Sequence, residues 1–290
     1  MKRSVFITGA ATGIGAGLVS KLANEDWQVF AGYRSSRPEA ASWYEHPNVT
    51  PIKCDIVSID DIENSARQIS DATGDKLDLL INNAGFFTSG GVVEDADLNA
   101  YRKAMDINLY GALDVLKAFM PLVRKGSYPT GGKGRVINVA SSSTLMTFPM
   151  ASAYTVSKQA FKTASFHLRL EMAPFGIQVA TLDPGGVDTP MSGDKDDNAN
   201  TQWSAIPNHL RAQYQEHFID AETMMNNNQS LTMLRPDEFA DKIYRKIIIS
   251  RHFKPLYVIG PGATAMPWLH RLLPRQQVEN IWAGLFRRKR

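Results

Sequence analysis

The chain has 290 residues, 43% hydrophobic and 21% charged, with a mean hydropathy of −0.24; this excludes a disordered chain and allows one large α/β domain. The formal net charge is only +3, and residues 287–290 (Arg-Arg-Lys-Arg) outweigh it, so the basic balance belongs to a tail and excludes a nucleic-acid-binding surface. The single cysteine, Cys54, excludes an internal disulfide, and six scattered histidines offer no metal-ligand spacing.

Short β-branched runs alternate with longer amphipathic stretches over the first two-thirds of the chain. Residues 5–7 predict a first strand and 14–24 a first helix. Residues 27–33 and Val49–Lys53 read as the next two strands. Ile59–Thr73 predicts a helix, with Ile59, Ile62, Ala66 and Ile69 at helical spacing. A fourth strand is expected at 77–81, a long helix at 98–125 ended by the loop 126–134, and a fifth strand at Arg135–Val139. Another long helix follows at 151–172, a sixth strand at 178–182, a helix at 236–250 and a seventh strand at Leu256–Ile259. Apolar strands that do not alternate, such as Leu-Asp-Leu-Leu-Ile at 77–81, imply burial on both faces. The expected fold is therefore α/β, a doubly wound parallel sheet of about seven strands with helices on both faces. One domain is expected over 1–265, with a helical substrate cap inserted at about 190–235 and an amphipathic basic extension at 266–290.

Between the first strand and first helix stands Thr8-Gly9-Ala10-Ala11-Thr12-Gly13-Ile14-Gly15. A helix start presents N–H groups without intrahelical partners and the positive end of the dipole, which suits a pyrophosphate. Glycines let the backbone turn, approach phosphate and pack helix against strand. Gly9, Gly13 and Gly15 stand in those places, with Thr12 and Ile14 beside them, so a dinucleotide is the expected ligand. The end of the second strand selects which one. A carboxylate there would accept the ribose hydroxyls of NAD and repel a 2′-phosphate; this chain has Gly32-Tyr33-Arg34-Ser35. Arg34 suits a bidentate phosphate contact, and NADP(H) is the expected cofactor.

Tyr154 and Lys158 lie one helical turn apart, so both project from one face of the helix at 151–172. A phenol titrates near 10, and a neighbouring ammonium favours its ionised form, making it a usable proton donor and acceptor. Ser141 follows the fifth strand, at the carboxyl edge where open α/β sheets bind ligands. TGxxxGxG at 8–15, Asn82-Asn83-Ala84-Gly85, Asn108, Ser141 and Tyr154-x-x-x-Lys158 occur in that order. Together they resemble the short-chain dehydrogenase/reductase family over residues 4–259, and the segments Gly-Arg-Val-Ile-Asn-Val at 134–139 and Leu-Arg-Leu-Glu-Met-Ala-Pro-Phe-Gly-Ile at 168–177 look similar to its steroid and retinol dehydrogenase branch.

The resemblance implies a Rossmann-type fold and a role for each position. Tyr154 would be the general acid in ketone reduction and the base in alcohol oxidation. Lys158 would lower its pKa and hold the nicotinamide ribose hydroxyls. Ser141 would stabilise charge on the substrate oxygen, and Asn108 would keep a water that connects Lys158 to solvent. Asn83, Ala84 and Gly85 would line the cofactor, Asp55 and Ile56 would contact its adenine, and Pro184, Gly185, Val187 and Thr189 would form the loop beside the nicotinamide.

Phe86, Phe87, residues 145–150, Met191 and Trp203 are the expected pocket walls. Their character points to an apolar ketone or alcohol; the resemblance to the steroid and retinol dehydrogenase branch implies a lipophilic secondary alcohol or ketone, steroid-, retinoid- or polyketide-like. The absence of G-x-S-x-G argues against a serine hydrolase. The alternative is a non-catalytic NADP(H)-binding regulator of the same fold, which has no need of Ser141, Tyr154 and Lys158 at working spacing. The resemblance also implies a homodimer or homotetramer built through the helices at 98–125 and 151–172. With no long apolar run or secretory leader, a cytoplasmic location is expected. Trp268, Leu272, Ile281, Trp282, Leu285 and Phe286 stand among basic residues. Such a stretch can cover the pocket, pack at a subunit interface or make a weak peripheral contact with a membrane.

Overall fold

The computed structural model describes residues 2–128, 132–190, 204–218 and 233–287. Its strands are β1 Ser4–Ile7, β2 Gln28–Tyr33, β3 Val49–Lys53, β4 Leu79–Asn82, β5 Arg135–Val139, β6 Gln178–Pro184 and β7 Leu256–Ile259. Its α-helices are α1 Gly13–Asn24, α2 Ile59–Thr73, α3 Leu98–Met105, α4 Ala112–Lys125, α5 Ser152–Met172, α6 Asn208–His217, α7 Pro236–Ile243, α8 Met266–Leu272 and α9 Arg275–Phe286. The strands form one sheet in the order β3-β2-β1-β4-β5-β6-β7, all parallel.

Successive side chains on a strand point to opposite faces, and here both faces are apolar. Val5 and Ile7 of β1, Val29 and Ala31 of β2, and Leu79 and Ile81 of β4 pack with Leu18 and Leu22 of α1 and Phe239 and Ile243 of α7. Phe6, Phe30 and Leu80 point the other way, onto Ile62 and Ile69 of α2, Val115 and Phe119 of α4 and Phe161 of α5. The chain winds from β1 to β2 and β3 on one side, then crosses to β4 on the other. That reversal opens a crevice at the carboxyl ends of β1 and β4, the place where such sheets take ligands.

Two helices differ from the continuous ones expected. The stretch 98–125 is α3, a π turn over Asp106–Gly111, and α4. The wider turn falls where Asn108 engages the Phe86 backbone and where Gly111 lies against the Ile56 carbonyl, 2.4 Å from the place a Cβ would occupy. The stretch 236–250 is α7 followed by a π turn over Tyr244–Ile248. Arg135, the charged residue of β5, is buried there between the rings of Tyr128 and Phe253, at 3.9 and 4.6 Å, and donates to Ile248 and Ser250 carbonyls.

Most of the insertion expected at 190–235, including Met191 and Trp203, lies outside the described residues. Its described part carries α6, whose Leu210 and Tyr214 pack with Ile206 against Val92 and Met150. The C-terminal pair rests on the loop at 145–150: Phe286 meets Phe148 edge-on at 5.3 Å, and His270 Nε2 stands 2.6 Å from the Leu145 carbonyl. An antiparallel bridge joins Arg287 to Phe218 at the end of α6. No helix among the described residues is long and apolar enough to cross a membrane.

Candidate active site

The glycine-rich turn leaves β1 with φ of +64° at Gly9 and +58° at Gly13, conformations that side chains other than glycine rarely adopt. A Cβ on Gly9 would stand 2.8 Å from Ala84 Cα, and one on Gly15 would stand 2.2 Å from the Gly9 carbonyl oxygen. The turn is thus packed against the start of the Asn83-Ala84-Gly85 segment. Thr8 joins the two: its hydroxyl accepts from the N–H groups of Asn83 and Ala84 at 2.9 and 3.0 Å, while Asn83 Nδ2 donates to Thr8 and Gly9 carbonyls.

The N-terminus of α1 has no acidic residue in its first turn, and its N-cap, Thr12, makes no side-chain capping bond. No side chain competes for the first N–H groups, so this turn fits a pyrophosphate. Arg34 is exposed directly after β2, with Ser35 and Ser36 beyond it and no carboxylate among them. Arg37 lies beside Tyr33 and Tyr44, which favour its charged form. This set fits a nucleotide bearing a 2′-phosphate.

Ser141 caps a short 3-10 turn over Ser142–Leu145, its Oγ accepting from the Ser143 N–H at 3.1 Å. Ser142 and Ser143 are buried, while Ser141 is only half-buried. Tyr154, in the first turn of α5, faces the Ser141 side chain, which favours its ionised form, and packs on Phe87 at 5.1 Å between ring centroids. Lys158 is 3% exposed, and its ammonium donates to the Val139 carbonyl at 3.0 Å. A Cβ on Gly85 would stand 2.9 Å from Lys158 Nζ and 3.3 Å from Asn108 Oδ1, so these three residues meet at one point.

Burial sets the protonation of this cluster. Loss of water pushes the Tyr154 phenol up, against the Ser141 side chain that draws it down, and the Asp183 carboxylate pushes it further up. Burial brings Lys158 down to about 8, with Asp183 opposing. The lysine gives its hydrogen to Val139, and the group that eases ionisation of the phenol is Ser141.

Other expected residues fall as follows. Asn108 is buried, with Oδ1 accepting from Phe86 N–H at 2.7 Å and Nδ2 donating to Phe86 O and Ser157 Oγ at 2.8 and 2.9 Å. Both Nδ2 hydrogens are engaged, and the amide holds the Phe86 backbone. Asp55 Oδ1 accepts from Val57 N–H within its own loop, and the Ile56 side chain lies in the core, leaving only its backbone for an adenine. Pro184 ends β6. Gly185 packs on the Pro261 carbonyl, Val187 pairs with Leu234, and Thr189 lies against Gly13, which brings this loop to the phosphate-binding turn. Ile14 packs on the core. The tie made by Thr8 and the support Ser157 gives to Asn108 escape sequence reasoning; the signal for Thr8 is a buried hydroxyl at the last step before the turn.

A family model described as short chain dehydrogenase matches residues 3–200. The chain belongs to the short-chain dehydrogenase family. Mouse estradiol 17-beta-dehydrogenase 2 is 33% identical to this short-chain dehydrogenase over 199 residues, 67% of the chain and 51% of the mouse protein, so the chain matches about half of that relative's length. The NADPH-dependent 1-acyldihydroxyacetone phosphate reductase of Schizosaccharomyces pombe is 30% identical over 285 residues, covering 98% of this chain and 86% of the yeast protein. The structure of a short-chain dehydrogenase from Burkholderia cenocepacia in complex with NADP shares the fold, with a TM-score of 0.72 at 24% identity and 97% of each chain covered.

Proposed function

We propose that this short-chain dehydrogenase is an NADP(H)-dependent oxidoreductase that interconverts a lipophilic secondary alcohol and its ketone. The observation that carries the reading is that Ser141 and the Tyr154 phenol face one another at the carboxyl edge of the sheet, with Lys158 one turn further along α5 and its ammonium on the Val139 carbonyl. When bound, the nicotinamide supplies or accepts the hydride. In the reductive direction Tyr154 passes its phenolic proton to the ketone oxygen as charge gathers there. Ser141 donates a hydrogen bond to the same oxygen, a contact that strengthens toward the transition state. Lys158 holds the nicotinamide ribose hydroxyls and keeps a positive charge near the phenolate that remains. Asn108 fixes the Phe86 backbone beside them and keeps a water through its main chain. The oxidative direction reverses each proton movement.

Arg34 supports the choice of NADP(H), since it stands where a carboxylate would exclude a 2′-phosphate. The yeast relative named as NADPH-dependent and the neighbour solved with NADP agree with it. For the substrate, Phe87 against Tyr154 and the Phe148–Phe286 pair give apolar walls, and the estradiol dehydrogenase relative supports a steroid-like alcohol or ketone. Exposed Tyr110, Leu113, Val156 and Leu170 on and beside α4 and α5 support a homo-oligomer joined through those helices. A non-catalytic regulator leaves the convergence of Ser141, Tyr154 and Lys158 without a purpose.

The test is loss of NADPH fluorescence against a panel of steroid, retinoid and aryl ketones. Tyr154→Phe is expected to lower turnover by about 10²–10⁴ while NADPH still binds. Turnover near that of the natural chain would remove the phenol from the reaction.

A further inference from the structure

A buried ion pair stands behind the serine. Lys162 lies one turn beyond Lys158 and two beyond Tyr154 on α5, so the three share a face of the helix. Lys162 is 5% exposed, and its ammonium is 2.5 Å from Oδ2 of Asp183, a fully buried residue of β6. The same ammonium donates to Thr144 Oγ1 at 2.9 Å, and the Thr144 hydroxyl donates to the Ser141 carbonyl at 2.8 Å. The distance from Thr144 Oγ1 to Asp183 Oδ2 is longer, 3.2 Å, so the single hydroxyl hydrogen is best used on Ser141. The Ser141 backbone is also close enough to the Asp183 carboxylate to favour its charged form. The serine carbonyl is thus tied to the pair through Thr144.

Removing two charges from water is expensive, and well-packed apolar residues would join α5 to β6 at least as well. The pair sits where that join reaches the loop carrying the serine. We propose that Lys162 and Asp183 are positioning residues, whose ion pair acts through Thr144 to fix the Ser141 backbone so that its hydroxyl and the Tyr154 phenol meet on one substrate oxygen. The inference rests on the oxidoreductase reading for its consequence, though not for its geometry.

Thr144→Val breaks the relay and leaves the ion pair in place. Two measurements are made on it: ketone reduction with NADPH, and the titration of Tyr154 followed by carbon NMR on ring-labelled tyrosine, assigned with Tyr154→Phe. The charged groups facing Tyr154 and Lys158 in this cluster are Asp183 and, behind it, Lys162. A displaced Ser141 no longer eases ionisation of the phenol, so the titration moves to higher pH. The expected result is kcat lower by about tenfold with the NADPH Kd within about twofold, and Thr144→Ser restores both kcat and the titration. Should Thr144→Val fail to fold, Lys162→Met/Asp183→Leu, which leaves no lone charge, is expected to lower kcat in the same way. An unshifted Tyr154 titration in folded Thr144→Val, or a wild-type kcat in the folded variant, overturns the proposal. A wild-type chain that reduces no ketone, yet shows the titration shift on Thr144→Val, defeats the oxidoreductase reading and leaves the positioning intact.

Discussion

Lys158 is charged in water at any physiological pH, and in this site it is not secured as such. Burial lowers its pKa from 10.5 to about 8, because the interior penalises the ammonium more than Asp183 helps it. Above pH 8 the folded lysine releases its proton while the unfolded chain keeps one up to 10.5, so the unfolded state binds more protons. This residue's contribution to stability therefore rises with pH across that window and is least favourable below it. Cofactor binding has the opposite dependence if the ammonium holds the ribose: NADPH affinity should weaken by up to about tenfold per pH unit above 8. A fluorescence titration of Kd against pH checks this, and Lys158→Met should flatten the dependence; a Kd indifferent to pH in the natural chain would exclude the ammonium from the contact. Arg34 makes a simpler prediction. Arg34→Asp should weaken NADPH by about 10- to 100-fold while NADH is spared, a comparison of two Kd values. Arg34 could be named as a candidate because its place after β2 follows from local sequence, whereas the desolvation of Lys158 belongs to its surroundings and has no trace in the spacing.

The turn between β1 and α1 was legible glycine by glycine, since left-handed backbone and close approach leave no room for a side chain. Gly15→Ala would drive a methyl to 2.2 Å from the Gly9 carbonyl oxygen, a backbone atom that cannot swing aside. It should cost about 1–3 kcal/mol in chemical unfolding and weaken NADPH binding as well. An unchanged unfolding midpoint would mean the turn can shift. The π turn at Asp106–Gly111 was not legible, because apolar periodicity runs through it without a break. It exists because Asn108 reaches Phe86 and Ser157, and Gly111 meets Ile56, contacts that cross 22 to 55 positions of chain.

Seven parallel strands with both faces covered place the crevice at the reversal between β1 and β4, with the C-terminal pair α8 and α9 resting beside it on the loop at 145–150. Val278, Trp282 and Phe286 are buried by that packing, while Trp268 and Leu272 stay exposed near Arg271 and Arg275. An apolar, basic face of this kind suits a weak contact with anionic lipid. The full chain should therefore float with anionic vesicles at low salt, and Trp268→Ser/Leu272→Ser should not; equal flotation would dismiss the contact.

Strand order of appearance, the phosphate-binding turn and the Tyr154–Lys158 spacing could be read from residues alone because each depends on neighbours a few positions apart and on backbone sterics. Selecting Ser141 from three adjacent serines already needed the family resemblance, and the fold adds that Ser142 and Ser143 are turned inward. The partner of Lys158, the engagement of Asn108 and the pairing of Lys162 with Asp183 waited on the fold. Each joins groups on separate elements, and its energy depends on how much water packing has removed, a quantity that exists only once those elements have come together.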